Sequence, residues 1–349
     1  MAEGGRRVVN VRVGGPNAGH SVVGRCPKEC GQDDSGHHVW RLRQVPVAAV
    51  TNERASLVIA AGSEIDPGVL DREIEELDSA GYDASGRLLV DQSATVLTSD
   101  HVAEEENNDI QQRLGSTAKG IGSARADRIW RTAERVGDRD DIFAHVEVLD
   151  TAHQLEVFLR NDAAVVVEGT QGYALGLHTE NYPFVTSGDC RAIDFLAQAG
   201  ISPWQTSGPY TDVDLKVVVC LRPYPIRVAG NSGQLKGETS WDELGLPVEH
   251  TTVTQKIRRV GEWDAELAQA ALRANGGPRA GVVYVALTML DSVEPAVAGQ
   301  NHAVHGWRPA SMPKSASELL HSLGLDTWDH LGYAGTGPDT AIVNREMYS

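Results

Sequence analysis

Long apolar runs, cysteine and clustered basic charge are what this sequence has least of, and each shortage removes a class of protein. No stretch approaches the twenty or so apolar residues needed to cross a bilayer, and residues 1–7 carry no apolar segment of a secretory signal. Four cysteines in 349 residues are too few for a disulfide scaffold, so reduced thiols and a cytoplasmic setting are expected. No Lys or Arg run is longer than a pair, and the formal net charge is −17. A polyanion would be repelled, which argues against nucleic acid as a partner. A mononucleotide remains compatible, because a few placed arginines and backbone N–H groups can hold one phosphate. Internal repeats and low-complexity segments are absent as well.

What is present is the composition of an ordinary globular protein, 41% hydrophobic and 23% charged, long enough for one large domain or two coupled ones. An apolar run over residues 8–13 reads as a buried strand. It ends in Gly14-Gly15-Pro16-Asn17-Ala18-Gly19-His20-Ser21. Glycines let the backbone turn sharply and approach a ligand. Asn17, His20 and Ser21 put an amide, an imidazole and a hydroxyl at the strand's mouth, where ligands bind in α/β sheets. Alone, such a loop is a turn with a surface histidine. Three further blocks accompany it: Gly115-Ser116-Thr117-Ala118-Lys119-Gly120-Ile121-Gly122, Glu168-Gly169-Thr170-Gln171-Gly172 after the apolar run 163–167, and Tyr182-Pro183-Phe184-Val185-Thr186-Ser187.

Elsewhere the pattern predicts strands over 57–61, 88–97, 214–221 and 281–287. Leu70, Ile74 and Leu77 at helical spacing predict a helix over 69–77, with Ser63 or Asp66 as its cap and Pro67 in its first turn. Residues 104–109 are polar and read as a loop, while 143–160 and 187–200 read as helices. Cys26, Cys30, His37 and His38 lie close together, but the Cys-x3-Cys spacing and adjacent histidines fit zinc poorly, and a solvated loop is expected.

The four blocks, in this order, resemble the adenylosuccinate synthetase family, and the likeness runs over most of the chain. The resemblance implies an α/β fold: a single large domain over 1–349 around a mostly parallel central sheet, related to the P-loop NTPases, with a hairpin extension at 24–38. The family's first strand and its Gly-x-Glu-Gly-Lys-Gly-Lys phosphate loop have no counterpart before residue 8. The implied activity joins L-aspartate to C6 of a 6-oxopurine monophosphate. A nucleoside triphosphate phosphorylates O6, and the aspartate amine then displaces that phosphate. The implied catalytic residues are His20, which donates toward the transferring phosphoryl group, and Gln171. The monophosphate falls to Asn17, Ser116, Thr117, Gln171 and Thr186, with Arg131 reaching across a homodimer. Aspartate falls to Thr254, Lys256, Arg258 and Arg259, since a dicarboxylate needs paired, forked donors. The triphosphate falls to Gly19, His20, Ser21, Thr288, Asp291, Gly335 and Gly337, and the Gly19 carbonyl meets Mg2+.

Several positions depart from the family's cellular members. Arg43-Gln44-Val45-Pro46, Gly188-Asp189, Lys256, Met289 and Gly335 stand where other residues are usual. These departures resemble the phage-type branch, which makes 2-aminoadenylosuccinate from dGMP, and the altered base loop fits ATP as well as GTP. The expected substrates are dGMP, aspartate and ATP, in a host cytoplasm and without membrane. The alternatives are IMP with GTP, or a non-catalytic nucleotide-binding protein.

Overall fold

The computed structural model describes residues 5–28, 37–139, 143, 145–204, 206–207, 211–251, 255–277, 281–308, 312–325 and 328–348. The chain divides into two compact units, Met1–Val213 and Asp214–Ser349. In the first, β1 (Val8–Arg12) leads through the glycine loop into an antiparallel ribbon of β2 (His20–Arg25) and β3 (His37–Leu42), paired from His20 opposite Leu42 to Arg25 opposite His37. A hairpin extension was expected over 24–38; residues 29–36 of it lie outside the described residues. Cys30 lies outside the described residues. Cys26 is disulfide-bonded, which corrects the expectation of a reduced thiol at that position and removes its sulfur as a free metal ligand, while Cys190 and Cys220 are free thiols. A two-stranded ribbon is marginal by itself, and this one packs Trp40 and Leu42 into the core beside β4 and α2.

Next come α1 (Ala48–Thr51), β4 (Ser56–Ile59), β5 (Glu64–Ile65), α2 (Pro67–Ser79), β6 (Leu88–Asp91), β7 (Thr95–Val96), α3 (Ser99–Asn107), α4 (Ile110–Leu114) and α5 (Ile121–Trp130). The unit closes with β8 (Glu147–Leu149), α6 (Thr151–Arg160), β9 (Ala164–Glu168), α7 (Ala192–Gln198) and a short pair, β10 (Thr206–Ser207) and β11 (Thr211–Asp212). Its main sheet has the order β8-β6-β4-β1-β9 and is parallel throughout, with β4 at its centre and β1 between β4 and the edge strand β9. Side chains alternate between two cores. Leu57, Ile59, Leu88 and Val90 pack with Leu70, Ile74 and Leu77 of α2. Val9, Val11, Val58 and Ala60 pack with Leu155 and Phe158 of α6. A sheet covered on both faces explains why its strands read as apolar runs.

Local chemistry sets the element ends. Asp66 caps α2 by accepting from Val69 N at 3.1 Å, with Pro67 first in the helix. Ser63, the other candidate cap, is buried instead beside Gly14 N and Arg12 O. The predicted strand 88–97 is two strands, broken where Asp91 accepts from Ser93 N at 2.7 Å. The predicted helix 143–160 is confined to α6, because the chain first adds β8 to the sheet and Asp150 then caps the helix. The predicted helix 187–200 shrinks to α7. The polar stretch 104–109 overlaps the end of α3, contrary to the loop expected there. Its inward face buries His101 and Glu105 rather than aliphatic residues, which hid the helical period.

The second unit holds β12 (Val217–Leu221), β13 (Ile226–Arg227), β14 (Glu238–Thr239), β15 (Arg259–Gly261), α8 (Ala265–Ala274), β16 (Val283–Leu287), β17 (His302–Val304), α9 (Lys314–Ser322), β18 (Leu331–Gly335) and β19 (Ala341–Asn344). Its main sheet runs β12-β16-β18-β19-β17, parallel except between β18 and β19. Strands β13, β15 and β14 form a small antiparallel sheet. Leu272 of α8 and Leu320 of α9 join Val285, Leu287 and Leu331 in this unit's core. Among the described residues, no helix is long and apolar enough to cross a membrane.

One polar side chain interrupts the apolar pattern of β1. Asn10 is buried, accepts from Ala48 N at 2.9 Å and donates to Val166 O at 3.2 Å, so it ties β1 to α1 and to β9. Asn10→Leu keeps the volume but leaves the Ala48 N–H buried without its acceptor. Urea denaturation of this variant is expected to show a loss of about 1–3 kcal/mol.

Candidate active site

At the C-terminal ends of β1 and β9, Arg12 lies directly opposite Glu168. The Arg12 side chain is only 1% exposed, and its Nη1 lies 3.4 Å from Glu168 Oε2. Its Nη2 donates to Ala18 O and to Arg43 O at 3.1 Å, which pins the glycine loop and the start of the Arg43-Gln44-Val45-Pro46 run. Glu168 Oε1 accepts from Val47 N at 2.9 Å, and Oε2 lies 2.9 Å from His20 Nδ1. Arg12 Nη1 also closes on the same imidazole nitrogen. The carboxylate contact has ordinary hydrogen-bond geometry, so we assign the Nδ1 proton to a bond with Glu168. That fixes the ring and leaves Nε2 available to a ligand.

Burial pushes the Glu168 carboxyl up, but the bond to His20, the charges of His20 and Arg12, and the Val47 N–H outweigh it. The net effect holds the carboxyl below its usual range. Burial likewise lowers the Arg12 pKa, against the raising effect of Glu168.

Beside this cluster is a cleft lined by Gly14, Asn17, Arg125, Gln171, Thr186 and Gly188, among others. It gathers Asn17, Gln171 and Thr186, three positions far apart in sequence that were expected to share one ligand. Asp189 also lines it, held by His178, whose N–H and Nδ1 lie 3.0 and 2.8 Å from the carboxylate. Cys190 lines it too, with its thiol pushed up to about 11, chiefly by burial. A thiol of that pKa is no nucleophile near neutrality.

Other expected residues fall elsewhere. Ser116 and Thr117 precede α5 and do not line the cleft, and Ser116 Oγ accepts from Ala118 N at 3.2 Å. The Gly120 and Gly122 N–H groups at the start of α5 donate to buried Glu105 at 2.8 and 2.7 Å, so a carboxylate already occupies that anion position. Arg131 caps the far end of α5, exposed, with Nη1 donating to Ile129 O at 2.7 Å. Sequence reading missed Arg12, Glu73 and Arg125. Glu73 accepts from the backbone N–H of Arg43, Gln44 and Val45 at 2.6, 3.0 and 2.9 Å. Burial raises its pKa, an effect only partly offset by those bonds. Gln44 exchanges hydrogen bonds with the backbone of Asp66, both at 2.8 Å. Arg43 Nε donates to Pro16 O at 2.6 Å, so this run braces the glycine loop.

In the second unit, Arg258 is half-buried and its pKa is lowered mainly by burial, with Glu249 opposing and Arg222 adding to the shift. Arg222 itself pairs with Glu249 and stacks over Tyr224 at 4.5 Å. Arg259 is fully engaged: both of its bonds to Glu238 measure 2.6 Å, and it also donates to Ser232 Oγ and Gly233 O. It braces β15 against β14, so Arg258 is the member of the pair whose guanidinium is available. Lys256 is exposed, with its backbone tied to Thr251. Thr254 lies outside the described residues. Thr288 and Asp291 follow β16, and Gly335 ends the adjacent parallel strand β18, with Gly337 just beyond. A Cβ at Gly335 would come within 3.1 Å of Thr288 Cα, so the glycine permits the two loops to touch. Met289 is left-handed at φ 59°, and its sulfur accepts from Tyr224 Oη at 3.5 Å.

Parallel strand ends that carry a glycine loop, an imidazole fixed by a buried carboxylate and a polar cleft define a nucleotide-handling α/β enzyme. The sequence profile of adenylosuccinate synthetase matches residues 4–146 and 142–323. The chain is 31% identical over 336 residues to the adenylosuccinate synthetase of Pyrococcus horikoshii, covering 95% of this chain and 88% of that protein. It is 33% identical over 329 residues to that of Methanocaldococcus jannaschii, covering 93% and 84%. The chain therefore belongs to the adenylosuccinate synthetase family, ligases of purine biosynthesis that form a C–N bond and bind nucleotide and aspartate. Two solved structures share its fold. Succinoaminodeoxyadenylate synthetase of cyanophage S-2L, bound to dGMP and dATP as an energy donor, has a TM-score of 0.71 at 23% identity, covering 97% of this chain and 96% of that one. Fully ligated adenylosuccinate synthetase of Plasmodium falciparum has a TM-score of 0.74 at 18% identity, covering 97% and 94%.

The lowered Glu168 carboxyl contributes stability that is present above its unfolded value of 4.5 and is lost as pH falls through the folded value. Glu168→Gln leaves Arg12 buried without its charge partner. It is expected to cost about 3–5 kcal/mol at neutral pH. Between neutrality and strong acid, its stability should fall less steeply than that of the wild type. Chemical denaturation of both proteins across that range checks the sign.

Proposed function

We propose that this chain ligates L-aspartate to C6 of dGMP, with ATP as the phosphoryl donor. The observation that carries the reading is the cluster of Arg12, Glu168 and His20 beside the cleft of Asn17, Gln171 and Thr186. In the first step the γ-phosphoryl group passes to the purine O6 and the nucleoside diphosphate leaves. Charge spreads over the transferring oxygens, and His20 donates to one of them through Nε2 while Glu168 holds the ring. In the second step the aspartate amine attacks C6 and the O6 phosphate departs. Arg258 is the forked donor for the aspartate carboxylates.

Magnesium fits this arrangement as a substrate-borne ion. Among the described residues there is no group of three or more His, Cys, Asp or Glu that would cage a metal. Mg2+ commonly binds through substrate phosphates, waters and one or two protein oxygens. The Gly19 carbonyl beside His20 is the candidate protein oxygen. When bound, the ion neutralises charge on the phosphates.

The choice of dGMP rests on the departures at Arg43-Gln44-Val45-Pro46, Gly188-Asp189, Lys256, Met289 and Gly335, which resemble the phage-type branch. A second reading, IMP with GTP, is favoured by the archaeal relatives, which are adenylosuccinate synthetases at 31–33% identity. A site built to hydrogen-bond the 2-amino group rejects a purine lacking it, because a buried acceptor is left unpaired at about 1–3 kcal/mol. Turnover with dGMP and IMP, each with ATP and GTP, decides between them. dGMP with ATP is the expected best pair, and a clear preference for IMP with GTP overturns it. His20→Ala should lower turnover about 100-fold or more while leaving nucleotide affinity nearly unchanged.

We propose also that the protein acts as a homodimer in which Arg131 completes the partner's monophosphate site. Ile129 and Trp130 beside it are 69% and 75% exposed, an apolar surface next to an exposed cation at one helix end. Mixing Arg131→Leu chains with His20→Ala chains should recover activity, because one site of each mixed dimer keeps both groups. Mixed dimers without recovery would show that Arg131 does not act in trans.

A further inference from the structure

The first-unit cleft contains one cationic side chain of its own, and it is not a residue to which the family resemblance gives a role. Arg125 lies on α5 and is the one Arg or Lys among the residues lining the cleft. Its Nε donates to Glu64 Oε1 at 2.7 Å, and its Nη2 lies 3.4 Å from Oε2. Glu64 is buried on β5, so one edge of the guanidinium is fixed from behind by a carboxylate that cannot move far. The other edge is Nη1. It lies against Gly188, where an added Cβ would land on that nitrogen. Gly188 therefore has a physical reason: its missing side chain leaves the space that the Arg125 fork occupies. The acid that lines the cleft and the acid behind Arg125 are both committed. Glu64 holds Arg125, and Asp189 is held by His178.

We propose that Arg125, held by Glu64 and admitted by Gly188, is a phosphate-binding residue of this cleft, donating through Nη1 to the phosphate of the purine monophosphate. The inference rests on the reading that the cleft takes that nucleotide. A guanidinium already fixed along one edge presents its remaining donors in a set direction, and such forks match phosphate oxygens. Thr186, Asn17 and Gln171 line the same cleft and supply neutral polar groups around the anion. Within one subunit this arrangement gives the phosphate a cation without Arg131, which lies at the opposite end of α5.

Calorimetric titration of the full chain with dGMP and IMP, and with deoxyguanosine and inosine, tests the assignment. The Arg125→Met/Glu64→Gln double variant removes the cation without leaving a buried carboxylate unpaired. Gly188→Ala is a second, gentler probe. The atom its methyl meets is the tip of a flexible side chain, so the guanidinium shifts while the fold stays intact, as thermal denaturation verifies. Both variants should bind the monophosphates about 10- to 100-fold more weakly, the loss of a charge-assisted hydrogen bond. Nucleoside binding should be unchanged. Monophosphate affinity within twofold of wild type in both folded variants overturns the role of Arg125 while leaving the cleft assignment standing. Wild-type protein that binds neither monophosphate overturns the cleft assignment itself, and this inference with it.

Discussion

The interaction on which the rest depends is the ion pair between Arg12 of β1 and Glu168 of β9, the last two strands of the parallel sheet. Both groups sit at strand ends, opposite one another in register, and Arg12 is all but inaccessible to water. Burying two charges is expensive, and their mutual attraction compensates only when further hydrogen bonds complete the arrangement. Here they do. The Arg12 guanidinium ties down the Ala18 and Arg43 carbonyls, and the Glu168 carboxylate holds Val47 N and His20. One pair thus fixes the glycine loop, the segment after β3 and the imidazole. The geometry of the reacting end of the sheet follows from it.

A second set of buried carboxylates does the same for the loops around the cleft. Glu73 gathers three consecutive backbone N–H groups, Glu105 takes the first N–H groups of α5, and Glu64 orients Arg125. Irregular segments near a ligand site cannot satisfy their backbone groups through a ladder, so side chains must do it. The protein is strongly acidic overall, yet several of its acids serve inside as acceptors. Net charge therefore says little about the cleft itself.

The two units divide the work visible in the structure. The first carries the imidazole and the polar cleft. The second carries the half-buried Arg258 and the adjoining loops after β16 and β18. His20 and the cleft follow β1 and β9, and the Thr288 and Gly337 loops follow β16 and β18, at the carboxyl ends of parallel strands; Arg258 instead precedes β15 of the small antiparallel sheet.

The sequence by itself determined the strands and the order of the glycine blocks. Val9 and Val11 are fully buried, as an apolar strand covered on both faces should be; the valines of 165–167 announced β9 as well, but at the sheet edge Val166 is 53% exposed, against the buried strand expected there. The Asp66 cap with Pro67 was legible for the same local reason. His20, Asn17, Gln171 and Thr186 were legible because their neighbours form recognisable blocks. Only the tertiary structure decided which residues hold them. Arg12 reads as one more strand residue until Glu168, 156 positions away, is placed beside it. Glu105 reads as part of a polar loop until Gly120 and Gly122 arrive above it. Gly188 reads only as a departure resembling the phage-type branch until the Arg125 guanidinium is seen in the space it leaves. Periodicity reports which face of an element is apolar. It cannot report which distant polar group will satisfy a buried charge, because that pairing exists only once the chain has folded.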